Sequence, residues 1–301
     1  IDLYDADIPL AIRHASEYDT FPLAYCHVVC NGENIQNISV LDSPWDIDSI
    51  SVPLRVMHID LDCDPKYQTP KTISLYFDNE RHCIPINPTS SILRLNLLLT
   101  RYDPDLIVTN SGDTWLLPYL FKMASNTNTA LKINRDQNRN ALIKKEGSYF
   151  SYGRIVYRGQ QVFLYGRCHI DTHNAMLWQK YELASVLEMA RVTRLPIQVA
   201  ARCSPGTGIN MMEILTALRH GILVPWRKTK GEKMKTAYDL LHSDQGGLTY
   251  QPIGGVHENV GFIDYVSLYP SLMTYCNISP ELPTPKHLGK SPYSPGLIPL
   301  T

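Results

Sequence analysis

The chain has 301 residues, 44% of them apolar and 19% charged, with a net charge of −1 at neutral pH. That length and apolar share bury one large core or two modest ones, and they exclude a disordered chain. Near-neutral charge excludes nucleic-acid binding by bulk charge alone, so any basic surface has to be local.

No apolar run approaches the ~20 residues that span a bilayer. The cluster from Leu95 to Leu99 is interrupted by Asn96 and preceded by Arg94, and the expectation is a protein without membrane contact. The first residues carry Asp2, Asp5 and Asp7 and no basic stretch, so no secretory signal is read and a cytoplasmic location is expected. Seven cysteines are an odd and scattered set, which fits reduced thiols rather than a disulfide framework. Cys26 and Cys30 have a spacing that zinc accepts, but no second pair follows to complete four ligands.

The segment LRVMHIDLD, residues 54 to 62, is rich in branched apolar residues and ends in acids. It reads as a buried strand delivering Asp60 and Asp62 at its carboxyl end. Shorter strands are predicted over 72–77 and 82–86, separated by the turn residues Asp78, Asn79 and Glu80. Ile92, Leu95, Leu98 and Leu99 then recur at helical spacing. A strand over 105–109 is broken by Asn110-Ser111-Gly112-Asp113, ahead of a helix over 115–124. Residues 125–140 are polar, without apolar periodicity except at Ile133, and read as a surface excursion. From Ser148 to Asp171 the alternation of Tyr, Arg, Val and Gly predicts a long hairpin turning at Arg158-Gly159-Gln160-Gln161. Its interleaved Arg and Tyr leave two readings open, contact with single-stranded DNA or aromatic packing on one face of a half-exposed hairpin. Leu183, Val186, Leu187 and Ala190 mark one amphipathic helix, and Met211, Met212, Leu215 and Leu218 a second that stops at Gly221. The alternation of strand and helix predicts a mixed α/β fold.

A basic run, Arg227, Lys228, Lys230, Lys233 and Lys235, is opposed only by Glu232. It is either a solvated face or a set of phosphate contacts. Further on, Phe262 to Val266 reads as a buried strand with Asp264 near its end, Ser267 as a helix cap and Ser271 to Cys276 as helix. A carboxylate after such a strand holds a divalent cation against triphosphate oxygens, and N–H groups at a helix start meet phosphates.

The stretch DYVSLYPSLM followed by NISPE resembles the first palm motif of family B DNA polymerases. By that resemblance Asp264 is a ligand of the catalytic metals (Mg2+ or Mn2+), and Ser267, Leu268 and Tyr269 face the incoming deoxyribonucleoside triphosphate. The resemblance also places Tyr269 under the sugar, where its ring excludes a ribose 2′-hydroxyl. Upstream, LRVMHIDLD is similar to the first motif of the family's proofreading exonuclease, with Asp62 standing where the family has Glu. YDPDLIVTNSGDTWLLPYL resembles the second motif but lacks its Phe-Asp pair, leaving Asp113 as the nearby acid. GRCHID resembles the strand before the third motif, whose Tyr-x-x-x-Asp is not found; Asp171 is the candidate substitute ligand. His169 and His173, which flank it, read as hydrogen-bonded structure rather than as ligands. The stretch RLPIQVAARCSPGTGINMMEILTALRHGILVPWRK is similar to the linker helices that join exonuclease and palm in archaeal-type members.

The resemblance implies a remainder of an N-terminal domain over 1–50, a ribonuclease H-like exonuclease-type domain over 51–180, linker helices over 181–253 and the start of a palm over 254–301. It implies primer–template DNA and deoxyribonucleoside triphosphates as partners, and template-directed DNA synthesis as the parent activity. The substituted and missing exonuclease motifs imply impaired proofreading. With neither fingers nor a second palm carboxylate in this sequence, the expectation is that the chain alone does not polymerise. The alternative is a non-catalytic DNA-binding relative with decayed active sites; a stand-alone 3′ nuclease requires Asp60, Asp62, Asp113 and Asp171 to converge.

Overall fold

The computed structural model describes residues 4–47, 52–87, 90–151, 154–225, 234, 236–238 and 250–276. The chain divides into two compact units, Ile1–Gly231 and Glu232–Thr301.

In the first unit the period-2 pattern of Met57 and Ile59 against His58 and Asp60 makes strand β3 (Val56–Leu61) the centre of a sheet. Before it lie helix α1 (Leu10–Tyr18) and a separate hairpin, β1 (Cys26–Asn31) with β2 (Asn34–Val40). Strands β4 (Thr72–Phe77) and β5 (Glu80–Pro85) follow β3 antiparallel, joined by a tight turn in which Asp78 and Asn79 take positive φ. Helix α2 (Ser91–Tyr102) crosses back, so that β6 (Leu106–Thr109) runs parallel to β3. After a π-helical turn (Gly112–Leu116), α3 (Leu117–Asn126) packs on the sheet. Strands β7 (Leu142–Lys144), β8 (Gly147–Ser151), β9 (Arg154–Arg158) and β10 (Gln161–Phe163) lead to β11 (Cys168–Asp171), which pairs parallel with β6. The resulting five-stranded order, β11-β6-β3-β4-β5, with only β4 reversed between β3 and β5, is the ribonuclease H-like mixed sheet.

Every residue of β6 is buried because both faces are covered. Ile107 joins Met57, Ile59, Ile73, Leu75, Leu95 and Leu120 on one side, while Leu106 and Val108 join Ile170, Val186 and Ala201 on the other. Each such fully buried aliphatic side chain contributes about 1.5–3 kcal/mol. Helices α4 (Trp178–Thr193), α5 (Ile197–Ala201) and α6 (Pro205–Arg219) form a third cluster with α1, through Ile8, Ile12 and Ala15 against Met189, Ala190 and Leu215. The regular part of α4 starts at Leu183, because Tyr181 and Glu182 leave helical geometry. Helix α6 is capped by Ser204, whose side chain accepts the Thr207 N–H, and the chain leaves it through Gly221 at φ +67°.

At the amino ends of β3, β6 and β11 an ion cluster ties the sheet to the polar 125–140 segment. Arg55 and Arg135 both bridge Asp103 and Asp105, and Arg167 adds a contact to Asp103 at 3.2 Å. The Arg55 hydrogen bonds hold the Asp105 carboxyl well below its usual range. With Ile133 and Asn134 buried as well, the excursion predicted over 125–140 is anchored in its second half rather than wholly on the surface.

Three local expectations are corrected. The hairpin reverses between Ser151 and Arg154, which are paired, and Arg158 to Gln161 instead carries the chain from β9 into β10. Residues 262–266 are not a strand, and Phe262, Ile263 and Val266 are exposed. An extended segment needs a neighbour for its backbone groups, and none pairs with it among the described residues. Ser267 precedes helix α7 (Leu268–Tyr275), but at φ 48° it lies in the left-handed region and its side chain makes no capping bond. All seven cysteines are free. No helix among the described residues is long and apolar enough to cross a membrane.

Candidate functional site

Because β3, β6 and β11 are parallel and in register, their carboxyl ends meet at one place, Ile59 and Asp171 both pairing with Thr109. Asp60 and Asp171 flank the backbone where β6 ends. Asp60 Oδ1 accepts the Asn110 N–H at 3.2 Å, and Asp171 Oδ1 accepts the next one, from Ser111, at 2.8 Å. Asp171 also accepts the N–H groups of Asp113 and His173, both at 3.0 Å. Burial nevertheless raises its pKa, the backbone donors only partly offsetting the loss of water. Asp62 stands apart and exposed, with both oxygens on the Lys71 N–H.

Asp113 is fully buried, its N–H bonded to Asp171 and its carboxylate to other partners. Arg202 grips it bidentately, Nε to Oδ2 at 2.7 Å and Nη2 to Oδ1 at 2.8 Å. Val162 N–H and Asn174 Nδ2 each add a bond at 2.8 Å. Burial pushes the Asp113 pKa up, but the Arg202 hydrogen bonds and charge outweigh it and the net direction is down. His169, with no exposed surface, lies beside the pair. Its Nδ1 donates to Val162 O at 2.9 Å and its Nε2 takes the Thr109 hydroxyl at 2.8 Å. Burial first, then the Arg202 charge 3.0 Å away, lower its pKa to about 4, so the ring is neutral. The turn over this network has to be glycine: a Cβ on Gly112 would stand 1.9 Å from Thr109 Oγ1 and 2.7 Å from His169 Nε2.

Two-metal hydrolysis needs several carboxylates whose free oxygens converge on cations ~3.5–4 Å apart. Here Asp113 has spent both oxygens on four donors, Asp171 is held by three backbone N–H groups, and Asp62 faces Lys71. Among the described residues no group of three or more His, Cys, Asp or Glu side chains is placed to hold a metal ion. The residues present do not fit the metal pair of a proofreading nuclease. Of the four acids expected to act as one metal-binding set, Asp60 and Asp171 accept consecutive backbone N–H groups, Asp62 is exposed beside Lys71, and Asp113 is paired with Arg202. The reading of His169 as hydrogen-bonded structure agrees with its geometry.

Sequence reasoning passed over Arg202, Gln198 and Asn174. A lone arginine after the apolar run Val199-Ala200-Ala201 was the available signal, since a charge in such company needs a buried partner. Gln198 Oε1 accepts the N–H groups of Leu164 and His169, and Arg202 Nη1 donates to His169 O at 3.0 Å. A side chain of α5 and that of the residue following it thus satisfy the outer edge of β11 in place of a sixth strand.

In the second unit Asp264 is exposed, and its Oδ1 accepts the neighbouring Tyr265 N–H at 2.8 Å. Ser267, Leu268 and Tyr269 sit at the start of α7, with Tyr269 77% exposed. The basic run Arg227, Lys228, Lys230, Lys233 and Lys235 lies outside the described residues.

No family profile matches this sequence. Curated relatives do. A DNA polymerase of Archaeoglobus fulgidus is 23% identical over 240 residues, 61% of this chain and 28% of that protein. A DNA polymerase of Thermococcus litoralis is 23% identical over an alignment covering 93% of the chain and 19% of the relative. DNA polymerase 2 of Saccharolobus solfataricus reaches 31% over 96 residues, 32% of the chain and 15% of the relative. Among solved structures, the family B DNA polymerase of Pyrobaculum calidifontis superposes with a TM-score of 0.64 at 17% identity, over 92% of this chain and 43% of that one. The chain is similar in sequence to archaeal DNA polymerases and shares its fold with a family B DNA polymerase. The chain spans less than half the length of each of those proteins.

Proposed function

We propose that this chain is part of a template-directed DNA polymerase that takes primer–template DNA and deoxyribonucleoside triphosphates. The observation that carries the reading is the succession, in one chain, of a ribonuclease H-like sheet and the segment DYVSLYPSLM. The exposed Asp264 would hold a Mg2+ or Mn2+ ion, which would neutralise triphosphate oxygens when bound. Ser267 and Leu268 present their backbone to the triphosphate, and the exposed Tyr269 ring lies under the sugar and selects against a 2′-hydroxyl. In this reading the basic run from Arg227 to Lys235 contacts phosphates, and proofreading by the exonuclease-type domain is impaired.

The test is primer extension by the polypeptide that contains this chain. Asp264→Asn is expected to abolish extension while leaving DNA affinity within a few-fold, and Tyr269→Val to admit ribonucleotides. Extension unchanged by Asp264→Asn refutes the assignment. A second reading, a non-catalytic DNA-binding relative, is favoured by the committed Asp113. It predicts DNA binding by the wild type with no extension at all.

A further inference from the structure

In a nuclease of this fold the acids at the carboxyl end of the sheet repel one another unless cations sit between them. Asp113 has such a cation already, and it belongs to the protein. The Arg202 guanidinium and the Asp113 carboxylate are 1% and 0% exposed, joined at 2.7 Å, and braced by Val162, Asn174 and the His169 carbonyl. We infer that Arg202 is a built-in replacement for a divalent cation, turning the nuclease-type end of the sheet into a metal-independent strut between the β6 turn and α5.

Three features carry this. A planar guanidinium matches both carboxylate oxygens and neutralises them without exchange with solvent. It has no coordination position for water, so it supplies charge without the activated nucleophile that a metal ion supplies. It also arrives from α5 across the edge of β11, where Gln198 and Arg202 together take the N–H and C=O of His169. The cation is therefore tied to secondary structure, and the turn that carries Asp113 is tied with it. The inference deepens the reading of impaired proofreading and shares its view of the domain. Its test does not measure nuclease activity, so the two can fail separately.

The experiment is thermal unfolding and Mn2+ binding, by electron paramagnetic resonance, of the whole chain with Asp264→Asn removing the palm acid. Melting temperatures in EDTA and in millimolar Mn2+ are expected to agree within about 1 °C, and Asp113→Asn to leave Mn2+ binding unchanged. Arg202→Gln strands a buried carboxylate and is expected to lower the melting temperature by about 10 °C. Removing both charges, in Asp113→Asn with Arg202→Gln, recovers most of that loss, and this pair keeps the test open if Arg202→Gln alone does not fold. Stabilisation of the parent chain by Mn2+ that disappears with Asp113→Asn would overturn the inference. So would an Arg202→Gln chain as stable as its parent, or losses in the double variant that simply add.

Discussion

Acid should loosen the first unit through His169, whose ring the fold keeps neutral. Burial and the Arg202 charge lower this imidazole from its ordinary 6.5 to about 4. The folded chain therefore keeps the ring neutral where the unfolded chain takes up a proton. The contribution is fully present above pH 6.5 and is lost as the pH falls towards 4; at ~1.4 kcal/mol for each factor of ten it amounts to about 3 kcal/mol. Two neighbours shift in opposite directions, Asp171 upwards into the range of the His169 change and against it, Asp113 downwards below it. Asp113, held below its ordinary range, gives up stability only at more acid pH, and Asp171, raised by burial, gains from protonation. The assay is urea unfolding of wild type and His169→Gln at pH 7.5, 6, 5 and 4.5. His169→Gln is expected to cost stability at neutral pH, through its Thr109 and Val162 partners, and to lack the decline that starts below 6.5. The gap between the two proteins then closes by most of that ~3 kcal/mol. Parallel curves over this range would refute the assignment of a neutral, desolvated ring.

Gly112→Ala forces a methyl to within 1.9 Å of Thr109 Oγ1; a loss of at least ~1–3 kcal/mol in denaturant unfolding is expected, the usual range for overpacking. Leu116, with no exposed surface, sits in the main core, and Leu116→Ala should cost ~2–5 kcal/mol; a smaller loss would mean that the turn collapses into the space. In the β8–β9 hairpin Phe150 pairs with Ile155, and Tyr157 lies on the same face, all at least 65% exposed. If these rings stack on bases, replacing Phe150 and Tyr157 with Ser should weaken oligo-dT binding by about 1–3 kcal/mol for each base lost. Unchanged affinity would leave the hairpin its packing role alone.

Much of this protein is written locally. The periods of Met57 and Ile59, of Thr72 to Phe77, and of Leu183 to Ala190 reflect which face of each element meets water, and that survives in the sequence without knowledge of neighbours. The acids at strand ends, Asp60 and Asp171, were legible for the same reason, as was the polymerase-like segment around Asp264. What the sequence left open is where side chains distant along the chain meet. Asp113 and Arg202 are 89 positions apart, and nothing local to either says that they pair, or that the pair occupies both oxygens of the carboxylate. The turn of the hairpin was misplaced because Arg158-Gly159-Gln160-Gln161 has turn composition, while register is set by the pairing of Ser151 with Arg154. Residues 262–266 have strand composition, yet a strand is a relation between two segments, and apolar character alone does not supply the partner. Propensity and period fix elements one at a time; charge pairing, register and strand partnership exist only once the chain has closed on itself.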